Sequence, residues 1–176
     1  MPIIKCDDSF IETIGSPPLI NSTSPNISVC NGDFRLFNLK DDFEDQAIVL
    51  FIIPSLDTST CMACLKHFSR LAIEKKLTYL IITSDTPFAL KRITNTLPFN
   101  SEYVCSDMVL KELGTMYNLL IRSGPLASFV ARSVFVLDKK HTIKYFEICQ
   151  DISNPIDYKK LDHEISLYFP SADSPS

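Results

Sequence analysis

The sequence predicts an α/β domain with a central mixed β-sheet, flanking helices and an N-terminal β-hairpin. The residues of Ala47–Ile53 form a continuous apolar run rich in β-branched side chains, which is typical of a strand buried on both faces. After this run, strand-like segments alternate with segments of helical spacing, which indicates a sheet covered by helices. Asn31-Gly32 separates two short apolar segments and is a strong hairpin signal.

The first 26 residues are expected to be irregular, because turn and coil formers dominate 16–26, including Ser16-Pro17-Pro18. The predicted hairpin follows, with strands at Ile27–Val29 and Phe34–Phe37. A single domain is predicted for 27–169.

The buried strand Ala47–Ile53 should end at Pro54, because proline cannot donate a hydrogen bond to a neighbouring strand. A polar loop at 55–60 comes next. Apolar residues then recur at helical spacing, at Met62, Leu65, Phe68 and Ala72. This pattern places Cys61 at or just before the first turn of a helix that follows a buried strand.

The remaining elements continue the alternation. Strands are predicted at Leu77–Thr83, Glu102–Cys105, Ser133–Leu137 and Thr142–Ile148, and helices from Pro87 to about Leu97, over Val109–Tyr117 and over Ile156–Tyr168. Ser84-Asp85-Thr86-Pro87 supplies the capping residues of the first of these helices. The tail at 170–176 is expected to be disordered.

The composition is that of a globular protein, with 45% hydrophobic and 22% charged residues. A net charge of −4 favours neither nucleic acid nor an anionic membrane as a partner. The first residues lack the basic and apolar pattern of a secretory leader, so we expect a cytoplasmic protein. In a reducing compartment most of the six cysteines should be free thiols; they are Cys6, Cys30, Cys61, Cys64, Cys105 and Cys149.

Cys61 is the candidate nucleophile. A free cysteine has a pKa of roughly 8.5, and its reactive form is the thiolate. Unpaired N–H groups and partial positive charge at a helix N-terminus favour that anion. Thr58 lies close enough for its hydroxyl to reach the sulfur or a bound oxygen, and Pro54 can shield the thiolate from water. The alternative is that Cys61 is a small apolar residue at a helix start.

The segment Pro54–Cys61 reads PSLDTSTC and resembles the P-x-x-x-T-x-x-C active-site motif of peroxiredoxins. Three further blocks, SDTPFALKR, GPLASFVARSVFVLD and DISNPIDYKKL, follow in the order and spacing of the thiol peroxidase branch of that superfamily. The resemblance covers about 27–168 and implies a thioredoxin-like fold.

The resemblance also implies roles for individual residues. Cys61 would be the peroxidatic cysteine, whose thiolate attacks a peroxide and becomes a sulfenic acid. Thr58 would hydrogen-bond the peroxide, and Arg132 would hold the thiolate and the reacting oxygens. Without the resemblance, Arg132 is better interpreted as a solvated arginine at a strand end.

The resemblance also implies substrates and partners. Hydrogen peroxide and small or lipid hydroperoxides would be the substrates, and thioredoxin or a similar dithiol would be the reductant. The branch usually forms homodimers. No flavin, haem or metal is implied, because sulfur carries the chemistry.

One position departs from the pattern of the branch, since Thr94 stands where the resolving cysteine is expected. Cys64 is the candidate substitute. Residues three apart on a helix have Cβ atoms about 5–6 Å apart, whereas a disulfide needs about 3.5–4.5 Å. The gap closes if Cys61 lies at the helix cap or if the first turn unwinds. Cys105 is a weaker candidate and Cys149 reads as structural; an external thiol is the remaining possibility.

Three other functions stay open. Cys61-Met62-Ala63-Cys64 is the C-x-x-C motif of thioredoxin-like disulfide oxidoreductases. However, Ala131-Arg132-Ser133 lacks the proline that such proteins place before the opposing strand. Cys61, Cys64 and His67 could begin a zinc site, but a fourth ligand is missing nearby. The third possibility is a degenerate peroxiredoxin that acts as a redox sensor.

Overall fold

A computed structural model describes residues 1–95 and 101–169. The strands are β1 (Ile3–Cys6), β2 (Ser9–Glu12), β3 (Ser28–Asn31), β4 (Leu36–Asn38), β5 (Ile48–Ile53), β6 (Tyr79–Thr83), β7 (Val104–Ser106), β8 (Ser133–Leu137) and β9 (Ile143–Ile148). The α-helices are α1 (Leu39–Asp42), α2 (Ser59–Glu74), α3 (Pro87–Thr94), α4 (Glu112–Met116) and α5 (Tyr158–Tyr168), and a short 3₁₀ helix covers Ser101–Tyr103. None of the helices in the described part of the chain is long and apolar enough to cross a membrane.

The main sheet has seven strands in the order β4-β3-β7-β6-β5-β8-β9. Strands β5, β6 and β7 run parallel, while β8 is antiparallel to β5 and β9 is antiparallel to β8. At the other edge β3 is antiparallel to both β7 and β4. This arrangement confirms the predicted mixed sheet and the predicted hairpin around Asn31-Gly32.

Strand β5 lies inside the sheet, and all six of its residues are buried. Its side chains alternate between the two faces, as expected for a strand. Val49, Phe51 and Ile53 pack under α2 and α5, whereas the side chains of Ile48, Leu50 and Ile52 enter a second apolar cluster on the opposite face. Because apolar clusters cover both faces of β5, this strand has no polar residue.

The expectation of an irregular N-terminal segment is wrong for residues 3–12. Strands β1 and β2 form an antiparallel hairpin, with Ile4 opposite Ile11. Ile4 and Ile11 are buried against Ile121 and Ala131, and this packing stabilises the hairpin. The Lys5 N–H also donates to the carbonyl of Gln150, which ties β1 to the chain after β9. The turn formers lie only at 16–26, and the hairpin before them depends on packing against residues remote in sequence.

Three helices differ from their predicted limits, and one of them, α5, begins at Tyr158 rather than at Ile156. Helix α2 begins two residues before Cys61, since Thr58 is its N-cap. Helix α4 begins at Glu112 rather than at Val109, because Lys111 adopts a left-handed conformation with φ of 55°. The predicted end of α3 near Leu97 and the tail at 170–176 lie outside the described residues, and the domain limits of 27–169 stay a prediction.

Candidate active site

Cys61 is the third residue of α2, directly after the loop that follows β5. The Oγ1 atom of Thr58 accepts the backbone N–H of Cys61 at 3.2 Å, which caps the helix. The side chain of Cys61 is buried, with 1% of its surface exposed. The sulfur therefore lies at the positive end of the helix and away from bulk water.

Asp85 fixes the loop that precedes Cys61. Its carboxylate accepts the Ser55 hydroxyl at 2.6 Å and the Leu56 backbone N–H at 2.7 Å. The Thr83 hydroxyl donates to the same carboxylate at 3.0 Å. Sequence reasoning assigned Asp85 only to a helix cap. Its position just after a parallel strand adjacent to β5 was the available signal, because the carboxyl ends of parallel strands share one edge of the sheet.

Arg132 lies against Cys61. Its Nη2 donates to the Cys61 Sγ at 3.2 Å, and its Nη1 donates to the carbonyls of Ile152 and Asn154 at 2.7 Å each. Only 5% of Arg132 is exposed, so its description as a solvated strand-end arginine is wrong. The two carbonyls hold the guanidinium in place against the sulfur.

Arg132 stays positively charged although it is buried. Burial alone would lower the pKa of Arg132, but its hydrogen bond to Cys61 and the charges on Cys61, Cys64 and Cys149 raise that pKa above its ordinary value. A fixed positive charge within hydrogen-bond distance favours a thiolate over a thiol. The site therefore supplies the electrostatic conditions that a nucleophilic sulfur needs.

Thr58 and Pro54 lie beside the same group. The Thr58 hydroxyl accepts one hydrogen bond as the helix cap, and a hydroxyl that accepts keeps its own proton to donate. Pro54 lines a small apolar cavity together with Ile4 and Arg132. These positions agree with a peroxide-binding role for Thr58 and a shielding role for Pro54, which both stay predictions.

Cys64 lies one turn further along α2 and is 3% exposed. Burial raises the pKa of the Cys64 thiol, although the charge of Arg132 and the neighbouring Tyr158 hydroxyl oppose the rise. The Tyr158 hydroxyl donates its one proton to the Cys64 carbonyl at 2.8 Å. Because Cys61 is inside the helix and not at its cap, only unwinding of the first turn can bring the two sulfurs to bonding distance.

Cys105 is not part of this group. It is fully buried in β7 and packs in the cluster on the opposite face of the sheet from Cys61. Burial raises the pKa of the Cys105 thiol far above its ordinary value. The structure therefore removes the geometric basis for Cys105 as a resolving cysteine.

His67 and Thr94 occupy structural positions. The imidazole of His67 stacks on the ring of Tyr158, with centroids 3.9 Å apart. The Thr94 hydroxyl donates to the Leu90 carbonyl within α3 at 2.7 Å. Across residues 1–95 and 101–169, no three His, Cys, Asp or Glu side chains are grouped to hold a metal ion.

Comparison with known sequences identifies the family of this chain. The Redoxin family profile matches residues 20–165. The chain is 32% identical to a thiol peroxidase of Leptospira interrogans, over 84% of this chain and 88% of the relative. It is 33% identical to a thiol peroxidase of Helicobacter pylori strain J99, over 81% of this chain and 86% of that protein.

Solved structures show the same fold at lower identity. A peroxiredoxin-like protein from Aquifex aeolicus superposes with a TM-score of 0.87 at 22% identity, covering 96% of this chain and 98% of that one. A thiol peroxidase from Chromobacterium violaceum superposes with a TM-score of 0.86 at 16% identity, covering 94% and 96%. The chain therefore belongs to the Redoxin family, in the thiol peroxidase branch of the peroxiredoxins, and it is a thiol-dependent peroxidase.

Proposed function

We propose that Cys61 is the peroxidatic cysteine and that it reduces hydrogen peroxide and organic hydroperoxides. The contact of 3.2 Å between the Arg132 guanidinium and the Cys61 sulfur carries this proposal. In the reaction the thiolate attacks one peroxide oxygen, and the O–O bond breaks. Cys61 becomes a sulfenic acid, and the other oxygen leaves as an alcohol or water after it takes a proton.

Arg132 and Thr58 stabilise this step from two sides. Before attack, the fixed guanidinium stabilises the Cys61 thiolate. During attack, it stabilises the negative charge that develops on the leaving oxygen. The Thr58 hydroxyl donates its proton to a peroxide oxygen while its lone pair keeps the helix cap. Pro54 keeps water from the sulfur and limits the space available to the substrate.

Cys64 is proposed as the resolving cysteine. Its thiolate attacks the Cys61 sulfenic acid, an S–S bond forms, and hydroxide leaves and takes a proton to become water. The step requires the first turn of α2 to open, which breaks the hydrogen bond from Cys61 to Thr58. If Cys64 does not react, an external thiol resolves the sulfenic acid.

The remaining assignments concern partners and location. A thioredoxin-type dithiol would reduce the disulfide and complete the cycle. Six cysteines without disulfide partners support a reducing compartment, which we take to be the cytoplasm. The net charge of −4 gives no support for nucleic acid or a membrane as a partner.

A homodimer is proposed on the evidence of exposed apolar side chains. Phe34 and Phe88 pack edge to face with centroids 5.1 Å apart, and both are more than half exposed. Met108, Val109 and Leu110 are also exposed and apolar. Large apolar side chains that remain exposed are candidates for a protein interface.

Intact-mass measurement tests the proposed chemistry. Reduced protein receives one equivalent of hydrogen peroxide and is quenched with acid within seconds. We expect the natural protein to lose two hydrogens, Cys64→Ser to gain one oxygen at Cys61, and Cys61→Ser to keep its mass. Cys105→Ser, on the other face of the sheet, should behave as the natural protein does. Rapid oxidation of the Cys61→Ser variant would show that another residue is the nucleophile.

A further inference from the structure

A third sulfur, that of Cys149, lies in the same buried cluster as Cys61 and Cys64. Cys149 directly follows β9, and its backbone N–H donates to the Arg132 carbonyl at 2.9 Å. The two residues therefore continue the β8–β9 ladder beyond the pair Ser133–Ile148. Directly opposite residues of an antiparallel pair point to the same face, so the Cys149 and Arg132 side chains lie under α2 together.

The three sulfurs share one positively charged neighbour, since the charges of Cys61, Cys64 and Cys149 all raise the pKa of Arg132. Burial raises the pKa of Cys149 to about 12, Arg132 opposes this rise, and the charges of Glu147 and Cys64 add to it. The charge of Cys61 likewise contributes to raising the pKa of Cys64, which burial dominates. Cys64 thus interacts electrostatically with both other sulfurs, and all three belong to the one buried cluster beside Arg132.

We propose that Cys149 is a third catalytic thiol, which takes over the disulfide from Cys61 by exchange at Cys64. This inference rests on the proposed roles of Cys61 and Cys64. In the step, the Cys149 thiolate attacks the Cys64 sulfur of the Cys61–Cys64 disulfide. A Cys64–Cys149 bond forms, the Cys61–Cys64 bond breaks, and Cys61 leaves as a thiolate. One disulfide replaces another without net oxidation, and the proton of the Cys149 thiol passes to solvent.

Arg132 favours this direction of exchange. Attack at Cys64 expels Cys61, whose thiolate returns to the Nη2 atom of Arg132 and to the reformed first turn of α2. While the Cys61–Cys64 disulfide exists, neither of those sulfurs carries charge. The guanidinium, including its buried and unpartnered Nε, is then available to a Cys149 thiolate. Oxidation of the first pair therefore makes the third thiol more reactive.

The position of Cys149 would make the disulfide accessible after the exchange. Cys149 lines the small cavity that holds Arg132 and Pro54, and it also lines an open groove with Glu147, Asp157 and Lys160. Cys149 therefore belongs both to the buried cluster and to the lining of that groove. Exchange would move the disulfide from the peroxide-binding sulfur towards a surface that an external dithiol can reach, and would free Cys61 for a second peroxide.

Peroxide titration without a reductant tests the proposal. Reduced protein is mixed with increasing hydrogen peroxide, and the equivalents consumed rapidly are counted before free thiols are alkylated and peptides are mapped. We expect about two equivalents for the natural protein, with a Cys64–Cys149 disulfide and an oxidised Cys61, and about one for Cys149→Ser and Cys149→Ala, with only a Cys61–Cys64 disulfide. Cys105→Ser is the matched buried control and should consume about two.

The outcomes separate this inference from the proposed function. The proposed exchange would be overturned if the natural protein and every variant with Cys61 and Cys64 consumed one equivalent, and if Cys149 were alkylated wherever it is present. The proposed peroxidase chemistry would then still stand. A Cys61–Cys149 disulfide in the Cys64→Ser variant would show that Cys149 attacks Cys61 directly, and would overturn exchange at Cys64. No oxidation of Cys61 in the natural protein would overturn the proposed function itself. Thermal unfolding of both Cys149 variants shows whether each is folded. Because Ser and Ala differ in polarity, an effect common to both variants comes from loss of the thiol and not from a packing defect.

Discussion

Asp85 accepts the backbone N–H of Leu56 at 2.7 Å, although 29 positions separate the two residues. This hydrogen bond attaches the loop before Cys61 to the end of β6. The position of the sulfur relative to Arg132 therefore depends on a carboxylate that does not touch either of them.

Replacement of Asp85 by Asn should loosen this loop. The amide keeps one acceptor but loses the charge and the second oxygen, so the hydrogen bonds from Ser55 and Leu56 cannot both survive unchanged. We expect the free energy of unfolding to fall by about 1–3 kcal/mol and the rate constant with peroxide to fall about tenfold. Urea unfolding and stopped-flow peroxide consumption measure the two effects. Asp8→Asn, at an exposed position, is the control, and an equal loss there would rule out a specific role.

Replacement of Arg132 by Lys should keep a positive charge but lose the geometry. An ammonium group cannot reproduce the planar arrangement that contacts the Cys61 sulfur and two carbonyls together. The second-order rate constant with hydrogen peroxide should fall by a factor of about 10² to 10³. Arg122→Lys changes an exposed arginine and should have no effect. A rate within twofold of the natural protein would mean that charge alone suffices.

Replacement of Tyr158 by Phe should slow disulfide formation more than the reaction with peroxide. The Tyr158 hydroxyl, which donates to the Cys64 carbonyl, opposes the rise that burial gives to the pKa of Cys64, so its loss leaves less Cys64 thiolate. We expect formation of the disulfide to slow by about tenfold near neutral pH and to recover at higher pH. Acid quenching and mass spectrometry follow both steps. Tyr168→Phe, on the same helix, should retain the natural rates; parallel slowing of both steps by Tyr158→Phe would indicate a general packing effect.

Asp107 should make stability depend on pH. Burial raises the pKa of its carboxyl group from 3.8 to about 6, against hydrogen bonds from the backbone N–H groups of Gly114 and Leu113. The folded protein therefore holds a proton that the unfolded chain releases between about pH 4 and 6, and the free energy of unfolding falls as pH rises through this window. We expect a contribution of about 2–3 kcal/mol, absent from Asp107→Asn. Urea unfolding at several pH values tests this, and Asp8→Asn should keep the natural slope.

Much of the sheet follows from local sequence patterns. The apolar residues of β5 and the proline after them predict a buried strand and its end, because such a run fits only the inside of a sheet. The hairpin of β1 and β2 was missed because its stability comes from Ile121 and Ala131, which are remote in sequence. The late start of α4 was missed because nothing in the sequence forces Lys111 into a left-handed conformation.

The candidate site was predictable in part. The junction between β5 and α2 places Cys61 and Thr58 from residue patterns alone. The contact between Arg132 and Cys61 spans 71 positions and was expected only from the family resemblance. The place of Cys149 beside Arg132 could not be predicted, because it depends on the register of β8 against β9. Pairing register is set by the packed sheet rather than by either strand alone.

The carbonyls of Ile152 and Asn154 that hold Arg132 have a consequence for how this loop can evolve. Every amino acid has a backbone carbonyl oxygen. Substitutions at 153 and 154 can therefore change the side chains without loss of either hydrogen bond. The number of residues is not free, since one insertion or deletion would displace both oxygens at once. Selection on this segment should therefore preserve its length and backbone path while its composition diverges among relatives.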